Sequence, residues 1–154
     1  MLRQTFLVIA VVLVLTEATQ VRKCSSARSF QSIKTVDITN CDKTPCKLKK
    51  NTKVAIVEKF IPDHDVKSLT TSVHAQILGV PLPFIGVDGT DACPNIYSID
   101  NKKVGCPLQK DVEYVYKNEF PILPLYPTVS LVVNWALKEG DKQITCFEAP
   151  SKIV

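Results

Sequence analysis

Two histidines, six cysteines and a scatter of carboxylates are the residues of this chain with the chemistry to catalyse or to hold a metal. Catalysis needs titratable groups that converge on one point. His64 lies between Asp63 and Asp65 in a run that reads as a turn, and His74 alternates with apolar residues on a strand, where it faces solvent or a hydrogen-bond partner. No G-x-S-x-G nucleophile motif occurs. Zinc is the competing use of the cysteines, but there is no C-x-x-C pair and neither histidine is spaced as a ligand beside one. The sequence therefore indicates no catalytic residue, no metal and no cofactor. Cys24, Cys41, Cys46, Cys93, Cys106 and Cys146 are instead an even set, as expected for disulfides in an oxidising compartment. Loop closure favours near neighbours, which pairs Cys41 with Cys46 and Cys93 with Cys106 and leaves Cys24 to meet Cys146.

Export fits the start of the chain. A basic tip, MLRQTF, precedes the apolar run LVIAVVLVL and the small-residue exit TEAT, the pattern of a secretory signal peptide over residues 1–18. Its apolar run is short for a bilayer span. Removing it takes away Arg3 and Glu17, which cancel, so the formal charge of +4 belongs to the mature chain of residues 19–154. That is the size of one domain. Nucleic-acid binding is set aside, because the basic residues do not interleave with exposed aromatics. No N-x-S/T sequon is present.

The elements that must position these residues read as strands. Ile33, Val36 and Ile38 alternate weakly, and a basic hairpin end with Lys47, Lys49 and Lys50 follows. In Lys53–Phe60, Val54 and Ile56 share one side, Ala55 and Val57 the other; Val73–Phe84 reads as one strand. Asp88–Lys103 is rich in Gly, Pro, Asn and Asp and reads as a surface loop. Val112–Tyr116 leads to Pro121, Ser130–Leu137 alternates most cleanly, and Glu139-Gly140-Asp141 turns into a last strand over Gln143–Phe147. No segment sustains a helical period. Short strands with turn signals between them predict an all-β, two-sheet antiparallel sandwich.

Two apolar segments carry prolines where strands end. Pro81-Leu82-Pro83-Phe84 is one, and Phe120-Pro121-Ile122-Leu123-Pro124-Leu125-Tyr126-Pro127 is the other. Proline lacks the donor a central strand needs, so these segments belong at sheet edges, and an apolar edge is either covered or used. Facing each other across a gap between sheets, they would line a dry cleft suited to a lipid or sterol. A core strand that merely ends in prolines is the alternative.

The segments CDKTPCKLKK (Cys41–Lys50), HAQILGVPLPF (His74–Phe84), CPLQKDVEYVY (Cys106–Tyr116) and YPTVSLVVNW (Tyr126–Trp135) resemble the Niemann-Pick type C2 group of the ML (lipid-recognition) family. The likeness spans essentially the whole mature chain, with the six cysteines in the same order. It implies an immunoglobulin-like β-sandwich with an apolar lipid tunnel between the sheets, the same three disulfides, and carriage of cholesterol or a related sterol without enzymatic activity. By that likeness Phe84, Ile122 and Tyr126 gate the tunnel, and Leu48, Val54, Leu82, Tyr116, Pro121 and Trp135 line it. It also implies a secreted or lysosomal-lumen monomer that hands its ligand to membranes or to a Niemann-Pick type C1-like membrane receptor. Lys47, Lys49, Lys50, Lys102 and Lys103 would dock on anionic lipid. Two departures bear on the ligand: the Cys93–Cys106 loop is longer than in the mammalian sterol carrier, and Phe147 follows the last cysteine where that protein has tryptophan. An extracellular recognition or immune module for fatty acids or microbial lipids is the other reading of the same fold.

Overall fold

A computed structural model of the chain describes residues 17–25 and 30–154; of the expected signal peptide, residues 1–16 lie outside the described residues. The strands run β1 (Arg22–Lys23), β2 (Ile33–Ile38), β3 (Cys46–Leu48), β4 (Thr52–Phe60), β5 (Thr70–Ile77), β6 (Val80–Pro83), β7 (Ile96–Ser98), β8 (Tyr114–Ile122), β9 (Ser130–Glu139) and β10 (Lys142–Ile153). A 3-10 turn, Cys93–Asn95, precedes β7. One sheet has the order β1-β10-β9-β5-β6, with β3 added alongside the end of β10, and the other has the order β2-β4-β8-β7. The fold is the expected all-β sandwich.

Period-two alternation sets what lies between the sheets. On β4, Val54, Ile56, Glu58 and Phe60 point inward while Lys53 and Lys59 point out. On β9, Leu131, Val133, Trp135 and Leu137 are buried. The two sheets meet along these faces in one apolar core. The disulfides are Cys24–Cys146, Cys41–Cys46 and Cys93–Cys106, as loop closure suggested, and all six cysteines are committed to them.

Three local expectations are corrected. Val73–Phe84 is a hairpin and not one strand: Leu78 and Gly79 both take positive φ, 50° and 81°, the twist that lets a two-residue turn join right-handed strands. Within the expected Asp88–Lys103 loop, β7 pairs with the start of β8. The last strand runs on to Ile153, and its final residues pair in parallel with β3, so Ile153 lies beside Leu48. The prolines obey their missing donors. Pro81 and Pro83 are on β6, an edge, and Pro121 pairs with Lys53 on one side at a point that β7 does not reach on the other.

Candidate functional site

The β5–β6 hairpin and the proline-rich turn after β8 meet at one end of the sandwich. There Ala75, Ile77, Leu82, Phe84 and Ile85 from the hairpin side, Tyr126 and Pro127 from the turn, and Ile153 from β10 enclose a cleft of about 330 Å³. Its walls carry no charged side chain, and the one polar group is the Tyr126 phenol. That phenol accepts a hydrogen bond from the Ile85 N–H at 3.3 Å, and its ring meets Phe84 edge-on with centroids 5.8 Å apart. The two proline-bearing segments are thus latched together across the cleft by one ring. Around the opening the apolar side chains are turned outward: Leu78 is 99% exposed, Leu125 71%, and Val80, Leu82 and Ile85 about half. A patch of this kind at a cleft mouth marks a contact surface.

Deeper in, the interior is closed. Phe84 packs edge-on against Phe120 with centroids 5.6 Å apart, and Phe120 packs on Trp135 at 5.5 Å. Beyond the Phe84–Phe120 contact lies a small void of about 10 Å³, lined by Leu48, Ile56, Phe120, Val133 and Phe147 among others. The expected tunnel is therefore a cleft and a separate void with two phenyl rings between them. The cleft is at the low end of the 300–1,000 Å³ range of ligand pockets, so a whole sterol enters only if those rings move.

Phe84 and Tyr126 take the expected places at the mouth, and Leu82 forms its half-exposed rim. Ile122 is buried behind them and contributes nothing to the cleft surface; its carbonyl accepts the Asn51 N–H. Leu48, Val54, Tyr116 and Trp135 face the interior as expected. Pro121 does not line it: with Phe120 and Ile122 both pointing in, period two turns Pro121 out to solvent. The lysines divide. Lys50 hydrogen-bonds through its Nζ to Thr128 beside the mouth, and Lys47 pairs with Lys152 next to Ile153. Lys102 and Lys103 sit with Tyr97 and Ser98 beside Tyr114, the opposite end of β8 from Ile122, so they do not belong to the mouth.

The histidines stay apart from the cleft interior. His64 contacts Asp63 and lies 3.6 Å from Glu139; the hydrogen bond from His64 keeps the Asp63 carboxyl below its usual range. His74 is 3.7 Å from Asp88 on the outer face of β5.

One inward residue escaped the sequence reading. Glu58 is fully buried, neither carboxyl oxygen makes a hydrogen bond among the described residues, and burial raises its pKa from 4.5 to about 7. The Thr145 hydroxyl on β10 favours the charged form slightly but is not placed to complete a hydrogen bond. The signal was present: the alternation that puts Val54 and Ile56 inside puts Glu58 there two residues later.

The ML domain family matches residues 18–153. Among curated relatives, an NPC intracellular cholesterol transporter 2 homolog a from Drosophila melanogaster is 35% identical, covering 99% of each chain. An NPC intracellular cholesterol transporter 2 from Sus scrofa is 31% identical over 90% of this chain and 87% of its own. Among solved structures, a Niemann-Pick type C2 protein from the Japanese carpenter ant superposes with a TM-score of 0.68 at 31% identity, covering 79% of this chain and 91% of that one. The two curated relatives are named as cholesterol transporters.

Proposed function

We propose, from the premise that this chain belongs to the ML domain family, that it is a non-catalytic carrier of cholesterol or a related sterol, exported after loss of residues 1–18. The observation that carries this reading is the cleft: apolar on every wall, latched by Tyr126, and opening onto outward-turned Leu78, Val80, Leu82, Ile85 and Leu125. An apolar guest burying about 400 Å² there would gain on the order of 10 kcal/mol at about 25 cal/mol per Å², before the costs of association. Phe84 and Tyr126 act as the gate. The three disulfides fit an oxidising compartment, secreted or lysosomal.

Transfer follows from the geometry of the rim. A lipid leaving through this mouth avoids water only if the exposed apolar ring is pressed to a membrane or to a membrane receptor. Lys47 and Lys50 flank that ring, with Lys49 between them in the chain, and each would add about 1 kcal/mol near an anionic surface. Delipidated protein titrated with a fluorescent sterol tests the carrier reading: saturable binding is expected, and none with any sterol or fatty acid overturns it. Natively purified protein should also bring lipid with it, read by mass spectrometry.

A further inference from the structure

The β5–β6 ladder breaks at the gate residue. The register that sets His74 opposite Pro83 sets Val73 opposite Phe84, and both side chains are buried. In an unbroken antiparallel ladder such a pair exchanges two hydrogen bonds, and here one of the two is diverted. The Phe84 N–H donates to the Val73 carbonyl at 3.0 Å, but the Val73 N–H donates to Asp88 Oδ1 at 2.8 Å. The Phe84 carbonyl accepts instead from the N–H groups of Val87 and Asp88, at 3.2 and 3.0 Å. Asp88 thus bridges the two halves of the broken pair, its carboxylate on Val73 and its backbone N–H on Phe84. The turn is held from behind as well: the Gly89 N–H donates to the Thr71 carbonyl at 2.9 Å, and the Thr71 hydroxyl donates to the Val87 carbonyl. On the outer side, His74 Nε2 lies 3.7 Å from Asp88 Oδ2.

We propose that Asp88 is the positioning residue of the gate: by taking the Val73 N–H it ends β6 at Pro83 and fixes where the Phe84 ring stands against the lipid cleft. The inference rests on the carrier reading. Two contacts across the cleft depend on that ending. The Phe84 ring meets Phe120 and Tyr126 edge-on, with centroids 5.6 and 5.8 Å away. One residue on, the Ile85 N–H faces away from β5 and reaches the Tyr126 phenol, and the Ile85 side chain forms part of the wall. Without the Asp88 carboxylate, the one acceptor in register for the Val73 N–H is the Phe84 carbonyl, and a buried donor left unpaired is costly. Pairing the two would extend β6 by a residue, draw Phe84 towards β5 and pull Ile85 off Tyr126. A carboxylate is suited to hold the ladder open, because a charge-assisted bond is stronger than the amide–carbonyl bond it displaces.

The test is a double-mutant cycle on the affinity of the delipidated mature chain for dehydroergosterol, a fluorescent sterol. Asp88→Ala is expected to bind it about tenfold more weakly, the size of one buried hydrogen bond that pre-organises a binding wall. Asp88→Asn keeps an oxygen for the Val73 N–H and should stay within about twofold of the parent. In the Phe84→Ala background, Asp88→Ala should cost no further affinity, since the ring it positions is gone. Glu139→Ala is the control: it removes a side-chain acceptor from the Lys67 N–H, 2.7 Å away at the end of β9 remote from the mouth, and should lower the melting temperature without changing affinity. Asp88→Ala binding like the parent, or losing affinity equally with and without the Phe84 ring, overturns the assignment. So does Asp88→Asn losing as much as Asp88→Ala, or Glu139→Ala losing affinity alongside it. Should Asp88→Ala fail to fold, Asp88→Glu shifts the acceptor by one methylene and is expected to weaken binding in the same Phe84-dependent way; unchanged affinity there overturns the proposal. No binding of dehydroergosterol by the parent is a different result, and removes the carrier reading and the gate with it.

Discussion

Phe84 stands where the cleft meets the packed interior, touching Tyr126 on one side and Phe120 on the other. Phe84→Ala should weaken sterol binding by about 1–3 kcal/mol at any salt concentration, because the lost contact is apolar. Tyr126→Phe keeps the ring and removes only the acceptor for Ile85, so its effect on the same titration should be much smaller. Glu58 makes a prediction of a different kind. Its carboxyl has a folded pKa of about 7 against about 4.5 unfolded, so the native state holds the proton more tightly. The stability from this group is then full below about pH 4.5 and is lost as pH rises through 7, a change on the order of 3 kcal/mol. The titratable neighbour Tyr116 does not enter this window, since burial raises its hydroxyl further above its ordinary range. Denaturation curves between pH 4 and 8 should show the slope in the parent and lose it in Glu58→Gln. Side-chain placement was legible wherever alternation was unbroken, as for Val54 and Trp135. It failed at Pro121, whose family-based place inside conflicts with its own strand parity.

The β5–β6 hairpin presents Leu78 at its tip with positive φ, a conformation better suited to asparagine. Leu78→Asn should leave the melting temperature unchanged or raised and sterol affinity unchanged, yet slow sterol transfer between vesicles, since it removes apolar surface outside the cleft. Glutamine at Lys47, Lys49 and Lys50 should abolish the acceleration by anionic vesicles and its loss with salt, whereas glutamine at Lys102 and Lys103, at the far end, should change neither. The hairpin itself was not legible as such. Leu78-Gly79 lacks the Asn-Gly or Asp-Gly signature, and the apolar run continues across it. The three-residue β7 was hidden for another reason: its pairing with β8 is set by tertiary contact within a polar, bridged loop.

At the scale of the molecule, the all-β class and the cysteine pairing were legible because strands, turns and loop closure are local properties. Sheet order was not, since the parallel pairing of β3 with β10 joins residues at opposite ends of the chain. The three bridges close separations of 122, 13 and 5 residues. Chain entropy alone makes them worth about 5, 3 and 2 kcal/mol respectively. Paired serine replacements should lower the denaturation midpoint most for Cys24 with Cys146 and least for Cys41 with Cys46, read by urea unfolding.

Trp135 is the sole tryptophan of the chain, sealed between Tyr116 and Phe120, and Phe120 in turn packs on Phe84 at the cleft. Its emission should therefore be blue-shifted in the structure described, and should shift again as the rings part around a guest. The protein carries its own optical gauge of loading, and cargo exchange can be followed in real time without a label on either partner.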